Sequence, residues 1–322
     1  MTTMCWTHRW SAPHRCHVTT STKLPTPAPN SVASRTLPTL TTALAPAVWG
    51  TTYIVTTELL PHGHPMFAAL MRALPAGLLA LAISRTVPRQ GWWWRTLVLG
   101  TLNIGLFFPL LFLAAERLPG GVAATLGATQ PIIVALLAVV VLSERLSGWR
   151  LGWGIAGVIG VALVVLGPGA AFDVTGIVAG LGGALSMGLG VVLTKRWGRP
   201  EGVSAVGYAS WQLTAGGLVL LVPTLLVEGV PHRVDSGAVA GYVWLGLVGG
   251  LAAYTIWFTG LRTLPVTATA LLGLLSPLVA AALGALVLGQ TLDPLQLIGF
   301  ALALAALGAG QLTPRPREGA HS

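Results

Sequence analysis

One apolar sequence occurs twice in this chain. Residues 118–146 read LPGGVAATLGATQPIIVALLAVVVLSERL, and residues 264–292 read LPVTATALLGLLSPLVAAALGALVLGQTL. Laid over each other without a gap, they share Leu, Pro, Ala, Leu, Gly, Pro, Ala, Leu, Val, Leu and Leu. Each exceeds the roughly 20 apolar residues that carry a helix across a bilayer. A duplicated segment of this kind demands a fold made of two halves with one internal plan, with a site where the halves meet.

The remainder of the chain fits that demand. Apolar residues make up 54% of the 322 and charged residues 8%, with a mean hydropathy of +0.77. A soluble domain carries roughly 25% charge. Apolar runs of membrane length cover 40–59, 65–84, 94–116, 119–142, 150–167, 174–194, 204–227, 238–261, 265–288 and 294–312. Breaks marked by Pro61, Pro88, Pro119, Pro168, Pro200, Pro231, Pro265 and Pro294 separate them. These runs predict an all-α integral membrane protein with ten transmembrane helices. The net charge of +9 does not indicate a nucleic-acid partner, because the basic residues sit one to three at a time between apolar runs. Cys5 and Cys16 define no disulfide framework or metal site.

Lys and Arg set the orientation. With the N-terminus in the cytoplasm, the inner segments hold Arg9, Arg15, Lys23, Arg35, Arg85, Arg89, Arg95, Arg145, Arg150, Lys195, Arg196, Arg199, Arg262, Arg315 and Arg317. The outer loops hold only Arg117 and Arg233. Both termini are therefore expected inside, and the expected location is the inner membrane. The two copies then cross in opposite directions, which predicts two inverted five-helix repeats and alternating access around a mid-membrane site. Weaker echoes agree: Phe108 answers Tyr254, Trp49-Gly50 answers Met187-Gly188, and Ala76-Gly77 answers Gly216-Gly217. The expected divisions are a disordered tail at 1–38, repeats at 39–170 and 171–312, and a C-terminal tail at 313–322. The first tail is rich in Thr, Pro, Ser and His and has no signal-peptide apolar region.

These residues resemble the EamA-type transporters of the drug/metabolite transporter superfamily. The resemblance rests on Trp49-Gly50, the stretch 67–79 with Arg72, and 123–146 ending in Ser143-Glu144-Arg145-Leu146. In the second half it rests on Tyr254-Thr255-Ile256-Trp257 and 268–292. It covers about residues 42–312. Gly289-Gln290-Thr291-Leu292 departs from it by lacking the Glu that Glu144 supplies in the first half. The resemblance implies export or exchange of small metabolites, with amino acids and their relatives as common substrates.

Candidate site residues follow from chemistry at depth. Pro131 and Pro277 lie near mid-helix, where each removes a backbone hydrogen bond and crowds the carbonyl four residues earlier. Those carbonyls belong to Gly127 and Gly273. The four residues read either as a paired hinge with carbonyls open to substrate or as inherited kinks. Trp49 with Tyr53, and Tyr254 with Trp257, share helix faces. Such rings line a cavity and attract an ammonium, or anchor at the interface. Trp92, Trp93 and Trp94 beside Arg95 read as an interfacial belt. Arg72 is costly at depth. It either holds a substrate carboxylate or pairs structurally with Glu58 or helix carbonyls. Asn103, Thr129, Gln130, Gln212 and Ser276 bond substrate or hold helices together, and Gln130 and Ser276 stand beside the two prolines. Small residues at Gly176, Gly180, Ala184 and Gly188, at Gly152, Ala156 and Gly160, and at Gly246 and Gly250 form stripes for close packing.

No Asp, Glu or His lies deep in a span; Glu58, Glu116 and Glu228 stand near outer ends. A buried proton relay is thus not expected. Neither a Walker A motif nor a catalytic cluster is present, and no enzyme activity, cofactor or metal is expected. The expected partners are a small-molecule substrate and the lipid bilayer, with a homodimer left open. The alternatives are a drug or quaternary-cation exporter, and a non-transporting membrane protein such as a lipid-modifying enzyme.

Overall fold

The computed structural model describes residues 32–89, 91–118, 126–165, 173–287, 289 and 293–312. Among them every regular element is a helix. Helix α1 spans Val32–Leu59 and α2 Pro65–Ser84. Helix α3 joins Trp92–Gly100, a π-helical stretch Thr101–Leu106, and Phe107–Arg117 without a break. Helix α4 is Leu126–Leu142 and α5 Gly148–Val165. Helix α6 is Val174–Trp197, and α7 is Ala205–Glu228. Helix α8 covers Ser236–Thr263 with a π-helical centre, Trp244–Ala252. Helix α9 is Val266–Val287 and α10 Pro294–Gln311.

Seven of these, α2, α3 and α6 to α10, contain windows long and apolar enough to cross a membrane; α4 and α5 are shorter and apolar. Val140, Leu226 and Leu286 are more than four-fifths exposed, at 81%, 81% and 82%. A surface of that kind suits lipid rather than water. Helix α1 begins at Val32, inside the stretch that composition assigns to the N-terminal tail. The rest of that tail, the C-terminal tail 313–322 and the Glu116 side chain lie outside the described residues.

In hydrocarbon every backbone group needs an internal partner, so helix ends decide the layout. The sparse acids are used there. Asp173, Asp235 and Asp293 accept the backbone N–H of Gly176, Ala238 and Gln296 at 2.7, 2.8 and 2.8 Å. Such a cap is worth about 1 kcal/mol. Glu228, from the end of α7, accepts the N–H groups of Met66 and Phe67 at 2.8 and 2.7 Å. It thus closes the first turn of α2, where Pro65 supplies no donor. At the opposite end Lys195 Nζ donates to the Leu261 and Leu264 carbonyls, both at 2.8 Å. Arg196 donates to the Val141 carbonyl at 3.0 Å.

The packing repeats itself with the partners exchanged. Helix α2 lies along α7, and α5 along α10. Helix α1 packs on α9 as α6 packs on α4; α3 packs on α6 as α8 packs on α1. Because lipid supplies no hydrophobic drive between helices, close approach matters most. A methyl group on Gly160 would sit 2.7 Å from the Ala303 nitrogen and 2.8 Å from the Gly299 oxygen. Gly152 of the same stripe meets open space, so only the inner part of that stripe serves packing. Trp92 also departs from the expected belt. Its ring packs 6.0 Å from Tyr208 and 6.3 Å from Trp211, while Trp93 and Trp94 stay exposed.

Helices α4 and α9 are each interrupted before their prolines, at Thr129 and at Gly273 and Leu274. In α4 the Thr129 N–H turns back to the Leu126 carbonyl at 3.1 Å. In α9 Gly273 and Leu274 bond to the carbonyls three residues earlier, at 2.9 and 3.1 Å. The prolines at 131 and 277 follow these tight turns.

Candidate functional site

Two π-helical stretches set up the centre of the protein. A π turn changes which carbonyl faces which donor, and such stretches recur at functional sites. Those of α3 and α8 both end where an eleven-residue α-helical piece begins, Phe107–Arg117 and Ala253–Thr263. Each offers carbonyls to side chains. In α3, Leu102 accepts Ser186 Oγ at 2.8 Å and Asn103 accepts the Tyr254 hydroxyl at 3.2 Å. In α8, the Gly249 carbonyl accepts two donors: the Trp49 indole N–H at 2.9 Å and Arg72 Nη2 at 3.2 Å.

Around these contacts lies a cavity of about 180 Å³. Helix α1 supplies Trp49, Thr52, Tyr53 and Thr56, all on one face, and α2 supplies Arg72. Helix α3 adds Phe107, Phe108 and Phe112, and α4 adds Gly127 and Gln130. Ala184 and Met187 come from α6, Tyr254 and Trp257 from α8, and Gly273, Ser276 and Pro277 from α9. The Trp49 ring stands 5.2 Å from both Tyr254 and Trp257. No Asp or Glu is among the lining residues.

Among the described residues Arg72 is the only charge in this wall, and it is 3% exposed. Besides Gly249, it donates to Thr52 Oγ1 at 3.4 Å, and its guanidinium lies 4.6 Å from the centre of the Phe108 ring. Inserting an Arg at mid-membrane costs about 2.5–3.5 kcal/mol on the insertion scale. Membrane hydrogen bonds average about 0.6 kcal/mol each, and a cation–π contact gives about 0.5–2 kcal/mol. The contacts therefore offset much of the cost and supply no counter-charge. The expected structural pair with Glu58 does not form: Glu58 is exposed beside the Thr57 hydroxyl at 3.5 Å. The Gly249 carbonyl, the Thr52 hydroxyl and the Phe108 ring hold Arg72 instead.

Of the residues singled out in the sequence, Trp49, Tyr53, Arg72, Gln130, Tyr254, Trp257 and Ser276 converge on the cavity, with Gly127, Gly273 and Pro277. Two do not. Pro131 is buried behind the wall. Asn103 points the other way, fully buried, with its amide donating to Gln212 Oε1 at 2.7 Å and Thr194 Oγ1 at 3.5 Å. Its side chain joins helices, because the π stretch turns only its carbonyl toward Tyr254. The Gly273 carbonyl is also not left open, since the Ser276 N–H bonds it at 3.1 Å. Thr52 and Thr56 were not singled out, although their spacing from Trp49 on a 3.6-residue helix marks the same face.

Aligning Gly77 with Gly217 sets Arg72 opposite Gln212, just as Gly249 stands opposite Asn103. Arg72 bonds Gly249, and at the related position Asn103 bonds Gln212, each contact joining the first half to the second. The same meeting point therefore carries a cation on one side and a neutral amide on the other.

Comparison with known proteins places the chain. Protein PecM of Dickeya dadantii (strain 3937) is 47% identical over 263 residues, covering 82% of this chain and 88% of PecM. A Salmonella typhimurium protein named a probable amino-acid metabolite efflux pump is 29% identical, covering 82% of this chain and 91% of its own. One solved crystal structure superposes with a TM-score of 0.72 at 20% identity, over 86% of this chain and 99% of its own. At that identity it shows the fold alone. The model of the EamA-like transporter family matches twice, over residues 37–166 and 174–308. The two matches together cover most of the chain, and the chain belongs to the EamA-like transporter family, membrane transporters of small metabolites.

Proposed function

We propose that the chain is an inner-membrane carrier of ten transmembrane helices in two inverted five-helix repeats, 39–170 and 171–312. It exports or exchanges an amino acid or a related small metabolite by alternating access. The observation that carries this reading is the cavity, whose walls come from α1 to α4 of one half and from α6, α8 and α9 of the other. Exchanged helix pairings and the matching π stretches support the inverted relation. Helices α1, α4 and α5 complete the count of ten.

The Lys/Arg distribution supports cytoplasmic termini. At that end Trp149 donates to the Ala309 carbonyl at 2.8 Å, and Arg150 to Thr267 Oγ1 at 3.3 Å. Lys195 and Arg196 close the same end. The cavity runs the other way, to Thr57 near the end of α1. This state reads as closed inward and facing outward. A relative in Streptantibioticus cattleyicolor is named a probable terminal-alkyne amino-acid exporter, and the Salmonella protein's name also points to amino-acid metabolites. The cation-exporter alternative has aromatic rings in its favour, and the Arg72 charge stands against it.

The test is efflux from proteoliposomes loaded with amino acids, their derivatives and cationic dyes, read by mass spectrometry against protein-free vesicles. Selective loss of one class is expected; retention of every solute by folded protein would sink the reading. Pro131→Ala and Pro277→Ala are each expected to slow that efflux several-fold while leaving membrane insertion unchanged. Wild-type rates in both would remove the hinge.

A further inference from the structure

The unsatisfied groups in the cavity wall share one polarity. Arg72 Nε, Trp257 Nε1 and Thr56 Oγ1 are each buried and have no hydrogen-bond partner among the described residues. All three residues line the same cavity. Trp257 is 1% exposed and Arg72 3%, so bulk water does not satisfy them from outside. The indole and guanidinium nitrogens only donate, and the hydroxyl does either. Buried donors left open carry a desolvation penalty that a bound acceptor removes. Among the described residues the wall also holds one full positive charge and no carboxylate. The remaining surface is aromatic, from Trp49, Tyr254, Phe107, Phe108 and Phe112.

The geometry points to a small monocarboxylate with an aromatic or branched apolar body as the cargo, its carboxylate received by Arg72 with the Trp257 N–H and the Thr56 hydroxyl. This inference rests on the transport reading above and narrows its substrate class. A carboxylate supplies both the counter-charge and several acceptor sites, whereas a guanidinium edge is shaped for such a group. A cation of the same size would bring a second positive charge beside Arg72 and no acceptor for the open donors. The body would lie on the rings. The volume, below the roughly 300–1,000 Å³ of ordinary ligand pockets, suits a metabolite smaller than a drug.

The test uses three probes that share a benzyl group and differ in head group: phenylacetate, phenylacetamide and phenethylammonium. Their affinities for the full chain in lipid nanodiscs are measured by titration calorimetry. Phenylacetate is expected to bind at least tenfold tighter than either of the others. Arg72→Gln is expected to bring phenylacetate down to the amide's affinity, and Arg72→Lys to keep part of the preference. Trp257→Phe, which removes the N–H and keeps a ring, is expected to weaken phenylacetate several-fold. An amide or ammonium that binds wild-type protein as tightly as phenylacetate would overturn the inference, as would no saturable binding of phenylacetate. Should Arg72→Gln fail to fold, the wild-type ranking and Trp257→Phe decide alone. Vesicle efflux of neutral or cationic solutes without carboxylates would refute this substrate class and leave the transport reading standing. No efflux of any solute would refute that reading itself.

Discussion

Glu228 is an acid whose position at the end of α7 admits two uses, proton exchange or structure. Its two short bonds to the N–H groups of Met66 and Phe67 assign it to structure, across the contact between α7 and α2. Charge-assisted bonds at a helix N-terminus are strong, because carboxylate and helix dipole act together. Glu228→Ala is expected to cost about 1–2 kcal/mol, read as a lower unfolding midpoint in detergent. Wild-type affinity for the phenylacetate probe is expected to persist. An unchanged midpoint would show that the bonds are replaced by water at that end. Trp49 has a comparable double duty. Its ring faces the cavity, yet its N–H is already engaged by Gly249, so it offers cargo a face and no donor.

Between helices, shape matters more than polarity. Helices α5 and α10 approach so closely at Gly160 and Gly299 that the obstacle to a side chain is backbone on the other helix. Backbone yields less readily than the tip of a side chain. Gly160→Val is therefore expected to destabilise the fold by about 1–3 kcal/mol or more, seen as a drop in the unfolding midpoint. Gly152→Val, on the open part of the same stripe, is expected to leave it unchanged. Equal effects at both positions would contradict the packing described. The sequence revealed the duplicated pair α4 and α9, the spacing of Pro131 and Pro277, and the apolar runs, because each leaves a periodic or repeated trace. It did not reveal the π stretches. TLNIGL and WLGLVGGLA are as apolar as any membrane helix, and an i to i+5 bond has no residue signature. For Asn103 the sequence left substrate contact and helix joining both open, since its π stretch sends carbonyl and side chain to different neighbours. Seven of the ten residues singled out as possible substrate contacts line one cavity, because aromatic and cationic groups at depth have few other places to go.

At the scale of the whole molecule, the end that the orientation proposed above makes cytoplasmic is closed by side chains that reach helix C-termini. Lys195 alone gathers carbonyls at the end of α8. Removing it leaves those carbonyls to water, which favours the arrangement in which water reaches them. Lys195→Met is expected to shift the balance toward the inward-open form by about 1–2 kcal/mol, a factor of roughly 5–30 in population. Alkylation of a Ser276→Cys probe from the cytoplasmic side, with Cys5 and Cys16 replaced by Ser, should rise accordingly. An unaltered labelling rate would mean that the closed end is held elsewhere, at Trp149 or Arg150.

The mismatch between Arg72 and its counterpart Gln212 extends beyond the binding wall. A carrier whose two halves exchange roles but whose central charge lies in one of them has an electrical polarity. With the anionic cargo proposed above, the empty protein carries the Arg72 charge in the membrane, and the loaded protein has that charge neutralised. A potential of 100 mV is worth about 2.3 kcal/mol for each elementary charge carried across it. Voltage then acts on the return of the empty protein and hardly at all on the loaded crossing. Net efflux from vesicles is expected to change with an imposed potassium diffusion potential, while one-for-one exchange of the same cargo runs at a rate indifferent to it.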